Sequence, residues 1–128
     1  MRVRVLGGIA VAMAIFAAAA TTGSSSAARK SAAFDFERPT LIAGTVVSGQ
    51  VVIVHDDDKM ARGEACTTVY RSHRGRQGEK LVEFMCNPIK RAAPAGFLVR
   101  RVPLSANQER LAEFQFRGDT ESHGVPMN

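Results

Sequence analysis

The sequence feature that most constrains the fold is the stretch CTTVYRSHRGRQGEKLVEFMC, which begins and ends at the only two cysteines of the chain. β-Branched and aromatic residues lie toward both of its ends, and Gly75 and Gly78 lie in its middle. This pattern is typical of a strand, a loop and a returning strand. Cys66 and Cys86 are symmetric about Arg76, so a hairpin that turns there places the two cysteines opposite each other.

The N-terminal segment MRVRVLGGIAVAMAIFAAAA has Arg2 and Arg4 before an apolar run that ends in small residues. This order predicts a secretory signal peptide over residues 1–20, with cleavage possible up to residue 27. Gly7 and Gly8 interrupt the apolar run, which favours a cleaved leader over a retained membrane helix. We therefore expect a secreted or periplasmic bacterial protein whose mature chain has no membrane span.

Export makes a disulfide the expected state of the two cysteines, because compartments beyond the inner membrane are oxidising. In the symmetric hairpin Thr68 faces Phe84, and a directly opposed pair at Cys66 and Cys86 suits the geometry of a disulfide. The sequence predicts one cross-strand disulfide between Cys66 and Cys86. Free thiols that bind a metal are the alternative, which the lack of a C-x-x-C pair disfavours.

The remaining chain also has strand patterns. They occur at 34–38, where Pro39 is expected to end the strand, and at 45–54, 96–102 and 110–118. A capping-box pattern at 105–108 predicts one helical turn. These elements predict an all-β fold, a small antiparallel sandwich or barrel of five to six strands. The expected divisions are a flexible linker at 21–33, the β domain at 34–118 and a C-terminal tail at 119–128.

The segment HDDDKMARGEAC at 55–66 concentrates the candidate site residues in a loop between two strands. Asp56, Asp57 and Asp58 could supply oxygen ligands to calcium, but the alternating acidic positions of an EF-hand loop are missing. The favoured interpretation is a turn in which the aspartates cap free backbone N–H groups while Lys59 and Arg62 balance their charge.

A soft-metal site is the third interpretation of the same loop. His55 and Met60 would combine with His123 and Met127 of the C-terminal tail. Imidazole and thioether ligands of this kind suit a copper-type ion. Otherwise no cofactor is expected.

Nucleic-acid binding and catalysis are the classes of function that the sequence disfavours. Without the leader, 15 basic residues face 12 acidic ones, a net charge of +3, and the only basic cluster lies in a glycine-containing loop at 71–76. No serine lies in a G-x-S-x-G motif, and both cysteines are expected to be oxidised, so no catalytic residue is predicted.

Three strings carry a resemblance that covers most of the chain after residue 45: VHDDDKMARGEACTTVY, VEFMCNPIKR and FQFRGDTESHGVP. The chain resembles a group of small exported bacterial proteins of unassigned function, which have a His-Asp-Asp stretch before K-M-A-R-G-E and two cysteines. The resemblance implies an exported small domain. It implies no activity, cofactor or catalytic residue.

The sequence therefore predicts an exported, disulfide-stabilised β domain that acts as a binding or structural module of the cell envelope. Its partner would be an unidentified protein or envelope component. The alternative function is a periplasmic metal-binding protein of the copper type that uses His55, Met60 and His123.

Overall fold

The computed structural model of the chain describes residues 28–127, and the predicted signal peptide lies outside them. The elements in chain order are β1 (Arg29–Ile42), β2 (Thr45–Asp56), α1 (Asp57–Ala61), β3 (Thr67–His73), β4 (Arg76–Phe84), β5 (Asn87–Lys90), β6 (Leu98–Ser105), β7 (Gln108–Gln115) and β8 (Glu121–Gly124). Among residues 29–127, the five-residue α1 is the only helix. None of this part of the chain forms a helix that is long and apolar enough to cross a membrane.

All eight strands belong to one sheet, with the order β4-β3-β2-β1-β7-β8-β5 and with β6 paired to β7 alone. The predicted all-β class is confirmed, but the predicted number of five to six strands is wrong. The expectation of a purely antiparallel sheet is also wrong, because β1 and β7 pair in parallel at Thr40 and Leu41. The unpredicted strands β5 and β8 have four residues each, too few for alternation to be recognised.

Two strands extend beyond residues 34–118, the range predicted for the β domain. Strand β1 begins at Arg29, inside the predicted linker, and β8 lies inside the predicted tail. Pro39 does not end β1, because it falls at an irregularity in the β1–β2 pairing between Phe36 and Thr40. A proline is tolerated at a bulge, where no ladder hydrogen bond is required from its nitrogen.

The β3–β4 hairpin turns at Arg74 and Gly75, both of which have positive φ, 55° and 78°. Such a two-residue turn matches the twist of the flanking strands. Two irregularities then shift the register, so that Thr67 pairs with Phe84. The predicted register, with Thr68 opposite Phe84, is therefore wrong by one residue. The predicted helical turn at 105–108 is wrong too, because Ala106 and Asn107 form the turn between β6 and β7.

The sheet curls around a single core. Strands β4 and β5 lie at opposite ends of the sheet order, yet only Met85 and Cys86 separate them in the chain. Three Cα steps span about 10 Å at most, so the two sheet edges must approach each other at this point. Side chains from distant strands pack together inside the curled sheet. For example, the rings of Phe84 on β4 and Phe114 on β7 have centroids 6.4 Å apart. The curling brings residues of distant strands together at one end of the core.

Candidate metal centre

Two histidines and the two cysteines meet at this end of the core. His55 lies near the end of β2, His123 lies in β8, Cys66 precedes β3, and Cys86 lies in the link between β4 and β5. All four are buried, with exposed fractions of 1%, 2%, 3% and 6% for His55, His123, Cys66 and Cys86. Residues from four separate parts of the sheet thus form one cluster.

Cys86 is the centre of the cluster. Its Sγ is 3.1 Å from Cys66 Sγ, 3.5 Å from His123 Nδ1 and 3.7 Å from His55 Nδ1. The ligand atoms of His55, Cys66 and Cys86 all lie within 4.8 Å of one another. The two imidazole rings also lie against each other, with centroids 4.0 Å apart.

The predicted cross-strand disulfide is not formed in this structure, where both cysteines are free. Their sulfurs lie 3.1 Å apart, whereas a disulfide bond requires about 2.05 Å. Cys66 and Cys86 also lie just outside the paired residues of β3 and β4, so they are not a cross-strand pair of the ladder. The expectation that the cysteines lie close together is nevertheless correct.

Hydrogen bonds at both nitrogens fix the orientation of the His55 ring. Its Nε2 lies 2.9 Å from Asp57 Oδ1, and its Nδ1 lies 3.1 Å from Thr67 Oγ1. An ionised carboxylate only accepts hydrogen bonds, so Nε2 carries the proton and donates it to Asp57. Nδ1 then carries the lone pair, which accepts the hydrogen bond from Thr67 Oγ1 and also lies 3.7 Å from Cys86 Sγ. A metal ion bound at Nδ1 would replace the bond from Thr67. A carboxylate that holds one nitrogen of a histidine while the other faces a ligand position is characteristic of metal sites.

His123 is held by stacking between aromatic groups. Its ring stacks on that of Phe114, with centroids 5.0 Å apart, in addition to its contact with His55. Burial, assisted by the nearby His55, lowers the pKa of His123 to about 4. The imidazole is therefore neutral near pH 7 and can offer a lone pair to a metal.

The same burial disfavours the charged form of Cys86. It raises the pKa of the Cys86 thiol to about 12, and the hydrogen bond with Cys66 acts in the same direction. A thiol with this pKa is not a nucleophile near pH 7. A bound cation would reverse the preference, because a coordinating thiol is deprotonated by the metal. The cluster is thus suited to coordination and poorly suited to thiol catalysis.

The other predicted site residues lie apart from the cluster. Met60 packs against the hydrophobic core, and the side chain of Met127 is 73% exposed. Asp56 caps α1 by accepting hydrogen bonds from the backbone N–H groups of Asp58 and Lys59, as the turn interpretation expects. These bonds lower the pKa of Asp56, the Lys59 contact most. The charge of Arg62 is paired with Glu64, not with an aspartate.

The structure therefore joins His55 and His123, as the soft-metal interpretation predicts, but places the cysteines beside them where that interpretation has Met60. The soft-metal interpretation does not include the cysteines as ligands, because the sequence predicts that they form a disulfide. The position of Cys66 at the end of the segment HDDDKMARGEAC is the sequence feature that could have indicated a cysteine ligand near His55.

A cavity of about 290 Å³ lies on the other side of the two imidazoles. Its lining residues are Lys30, His55, Asp57, Asp119, Thr120, Glu121 and His123. Three carboxylates and one ammonium group give this cavity a net formal charge of −2 when both histidines are neutral. Lys30 and Asp119 form an ion pair within it.

Comparison of the chain with protein-family profiles, with curated proteins and with solved structures finds no match.

Proposed function

We propose that this protein binds a single transition-metal ion, Zn²⁺ foremost, through the sulfurs of Cys66 and Cys86 and the Nδ1 atoms of His55 and His123. The observation that carries the proposal is the His55 ring, whose Nε2 is held by Asp57 while its Nδ1 faces Cys86 Sγ at 3.7 Å. An isolated pair of buried thiols needs no such carboxylate-oriented imidazole beside it.

The distances from Cys86 Sγ to the two Nδ1 atoms are close to those of a tetrahedral site. His123 lies outside the group of three residues whose ligand atoms are all within 4.8 Å of one another, so its ring would move inward to complete the site. Zn–S bonds of about 2.3 Å and Zn–N bonds of about 2.05 Å give sulfur–nitrogen edges of about 3.6 Å and a sulfur–sulfur edge of about 3.8 Å. The sulfur–nitrogen distances at Cys86 are 3.5 and 3.7 Å. The sulfurs, at 3.1 Å, would separate by less than an ångström to admit the ion.

The donor set determines the choice of metal. Two thiolates and two imidazoles in a tetrahedral arrangement favour Zn²⁺, and the softness of the thiolates makes Cu⁺ the competing ion. A copper-type ion was expected from imidazole and thioether ligands, and thiolates in place of Met60 strengthen the affinity for either ion. The hard cation Ca²⁺ requires oxygen ligands and does not suit this cluster.

A second candidate function is the disulfide-stabilised binding module of the cell envelope. It is favoured by the contact between the sulfurs of Cys66 and Cys86, which need only a small shift to bond. The disulfide and the metal site exclude each other, since each sulfur can serve only one of them. In both candidates the leader over residues 1–20 directs the protein to a secreted or periplasmic location.

Titration of the reduced protein with Co²⁺, followed by displacement with Zn²⁺, tests the metal site. We expect one equivalent of Co²⁺ to produce a thiolate-to-metal absorption band and the intense visible bands of a tetrahedral ion. Zn²⁺ should abolish both. At a thousandfold excess over Kd, bound Zn²⁺ should raise the free energy of unfolding by about 4 kcal/mol.

The matched variants use two of the three histidines and one of the two cysteines. His123→Asn and Cys86→Ser should each abolish tight binding, whereas His73→Asn, at the exposed tip of the β3–β4 hairpin, should leave it unchanged. Circular dichroism verifies that each variant is folded. Failure of the folded, reduced wild-type protein to give a thiolate band would refute the metal site.

Native mass spectrometry of protein recovered from an oxidising periplasm distinguishes the two candidates. A metal adduct that dissociates on chelation supports the metal-binding function. A metal-free mass, lower by two hydrogen atoms than that of the reduced chain, supports the disulfide-stabilised module. The same spectrum reports the position at which the leader is cleaved.

A further inference from the structure

We propose that the acidic cavity beside the histidines is the route by which a divalent cation reaches the metal centre. Its carboxylates would attract the hydrated ion, and the imidazoles of His55 and His123 would be its first protein ligands. This inference rests on the proposed metal-binding function and specifies how the ion is selected and loaded.

The position of the two rings supports this route. His55 and His123 are almost wholly buried, yet both line the cavity. Their Nδ1 atoms face Cys86 on the inner side. The imidazoles therefore form the wall between the cavity and the thiols, and an ion that crosses from the cavity meets them before it meets the sulfurs.

The charge of the cavity supports the same direction. Asp57, Asp119 and Glu121 line it, and only the ammonium group of Lys30 opposes them. The Asp57 side chain is 50% exposed, and that of Asp119, which is paired with Lys30, is 25% exposed, so part of this negative charge faces an arriving ion. A cleft lined by one sign of charge concentrates ions of the opposite sign and raises their rate of association.

A smaller cavity offers a second approach, from the side of Cys66. It has a volume of about 90 Å³, and its charged lining residues are Arg29, Asp56 and Lys59, with a net charge of +1. This cavity would repel a cation. The two approaches to the same cluster thus differ in the sign of their charge, and a charge-changing substitution in either one identifies the route used.

Stopped-flow measurement of Co²⁺ binding to the reduced protein at low ionic strength provides the test. Glu121→Gln should slow association about threefold, and Lys30→Gln should accelerate it by a similar factor, because each changes the cavity by one charge. Both effects should shrink at 1 M salt, where the screening length is about 3 Å. The intensity of the thiolate band at saturation should remain that of the wild type.

Two controls isolate the route. Glu79→Gln removes a carboxylate from the exposed face of β4 and should leave the rate unchanged. Lys59→Gln removes a positive charge from the cavity beside Cys66 and should also leave the rate unchanged if the ion does not pass there. An accelerated Lys59→Gln variant, or wild-type rates for both Glu121→Gln and Lys30→Gln, would overturn the proposed route.

The failure of this inference differs from failure of the metal site itself. If the thiolate band forms normally but its rate is insensitive to the charge of the acidic cavity, the site stands and the route is wrong. If reduced wild-type protein forms no thiolate band, the metal-binding function fails and the route fails with it.

Discussion

At the scale of single residues, Glu113 is the most highly connected buried charge. Its carboxylate accepts two hydrogen bonds of 3.0 Å from Arg91, one of 2.6 Å from Arg100 and one of 2.8 Å from Ser122. The bonds from Arg91 contribute most to lowering the pKa of Glu113, and they outweigh the opposing effect of burial. The folded protein therefore holds this side chain ionised at a pH where the unfolded chain begins to take up a proton.

This difference predicts a loss of stability in acid. Because the pKa of Glu113 is lower in the folded state, its contribution is complete well above the ordinary value of 4.5 and decreases as the pH falls below it. Glu113→Gln should lower the free energy of unfolding by about 1.5 kcal/mol at pH 7, since it leaves the partly exposed guanidinium groups of Arg91 and Arg100 without their charged hydrogen-bond acceptor. Urea unfolding between pH 3 and pH 7 measures both effects.

The control for this prediction is Glu37→Gln, at an exposed position of β1. It should change stability at pH 7 by less than about 0.5 kcal/mol. If Glu113→Gln lost stability below pH 4.5 as steeply as the wild type, the acid sensitivity would arise from other groups.

The candidate site shows how far residue types predict chemistry. His55 and His123 could be identified because imidazoles are metal ligands and few in this chain. The role of Cys66 and Cys86 could not be settled, because the same two thiols serve as a disulfide or as ligands, and only the position of the imidazoles separates these uses. The sequence predicts Met60 as a metal ligand because it lies in the same loop as His55, but in the structure it lies in α1 and packs against the hydrophobic core.

At the scale of elements, the β3–β4 hairpin depends on a close approach of its two strands at Gly78. A Cβ atom at this position would lie 2.7 Å from the backbone carbonyl oxygen of Arg71. Gly78 falls in the stretch where the register shifts between Tyr70 and Ser72 on the partner strand. The turn at Arg74 and Gly75 offsets the register from the predicted one, and the irregularity at Gly78, which reduces this offset, is one that glycine accommodates.

We expect Gly78→Ala to destabilise the protein by about 2 kcal/mol, because the contact is with backbone and one of the strands must move. Gly96→Ala is the matched control, since a Cβ there meets no atom within 4 Å. The control should stay within about 0.5 kcal/mol of the wild type. Thermal and urea unfolding compare the two, and equal stabilities would show that the strands separate without cost.

Strand patterns predict the elements whose alternation extends over many residues. The valine-rich run at 45–54 and the alternating stretch at 110–118 correspond to β2 and β7. The sequence predicts a tail where β8 lies, because Ser122 and His123 are polar and polar residues indicate an exposed segment. In the structure both are buried. Their burial depends on partners from other strands, such as Glu113 for Ser122, which no local pattern contains.

At the scale of the whole molecule, the residues of the candidate metal centre come together only because the sheet curls. Strand β2 supplies His55, β8 supplies His123, and the two-residue link between the sheet edges supplies Cys86. Strand β8 also pairs with both β7 and β5, and among the described strands β5 pairs with β8 alone. The C-terminal segment is therefore expected to be part of the cooperative unit.

Two shortened chains test this expectation. A chain that ends at Gly118 loses β8, the buried Val125 and the hydrogen bond of 2.8 Å from Val125 N to Ala112 O. It should lose both cooperative unfolding and Co²⁺ binding. A chain that ends at Pro126 loses Met127, which is 73% exposed, and Asn128, and it should unfold and bind Co²⁺ as the full chain does.

Urea unfolding followed by circular dichroism, together with Co²⁺ titration, separates the possible results. Because β8 is the partner of β5 within residues 28–127, removal of β8 also leaves β5, beside the link that contains Cys86, without a strand to pair with. The chain that ends at Gly118 should therefore lose more unfolding free energy than His123→Asn, which removes one proposed ligand and leaves the strand pairing intact. If the chain ending at Gly118 unfolded as cooperatively as the full chain, residues 119–128 would lie outside the cooperative unit, as a C-terminal tail does.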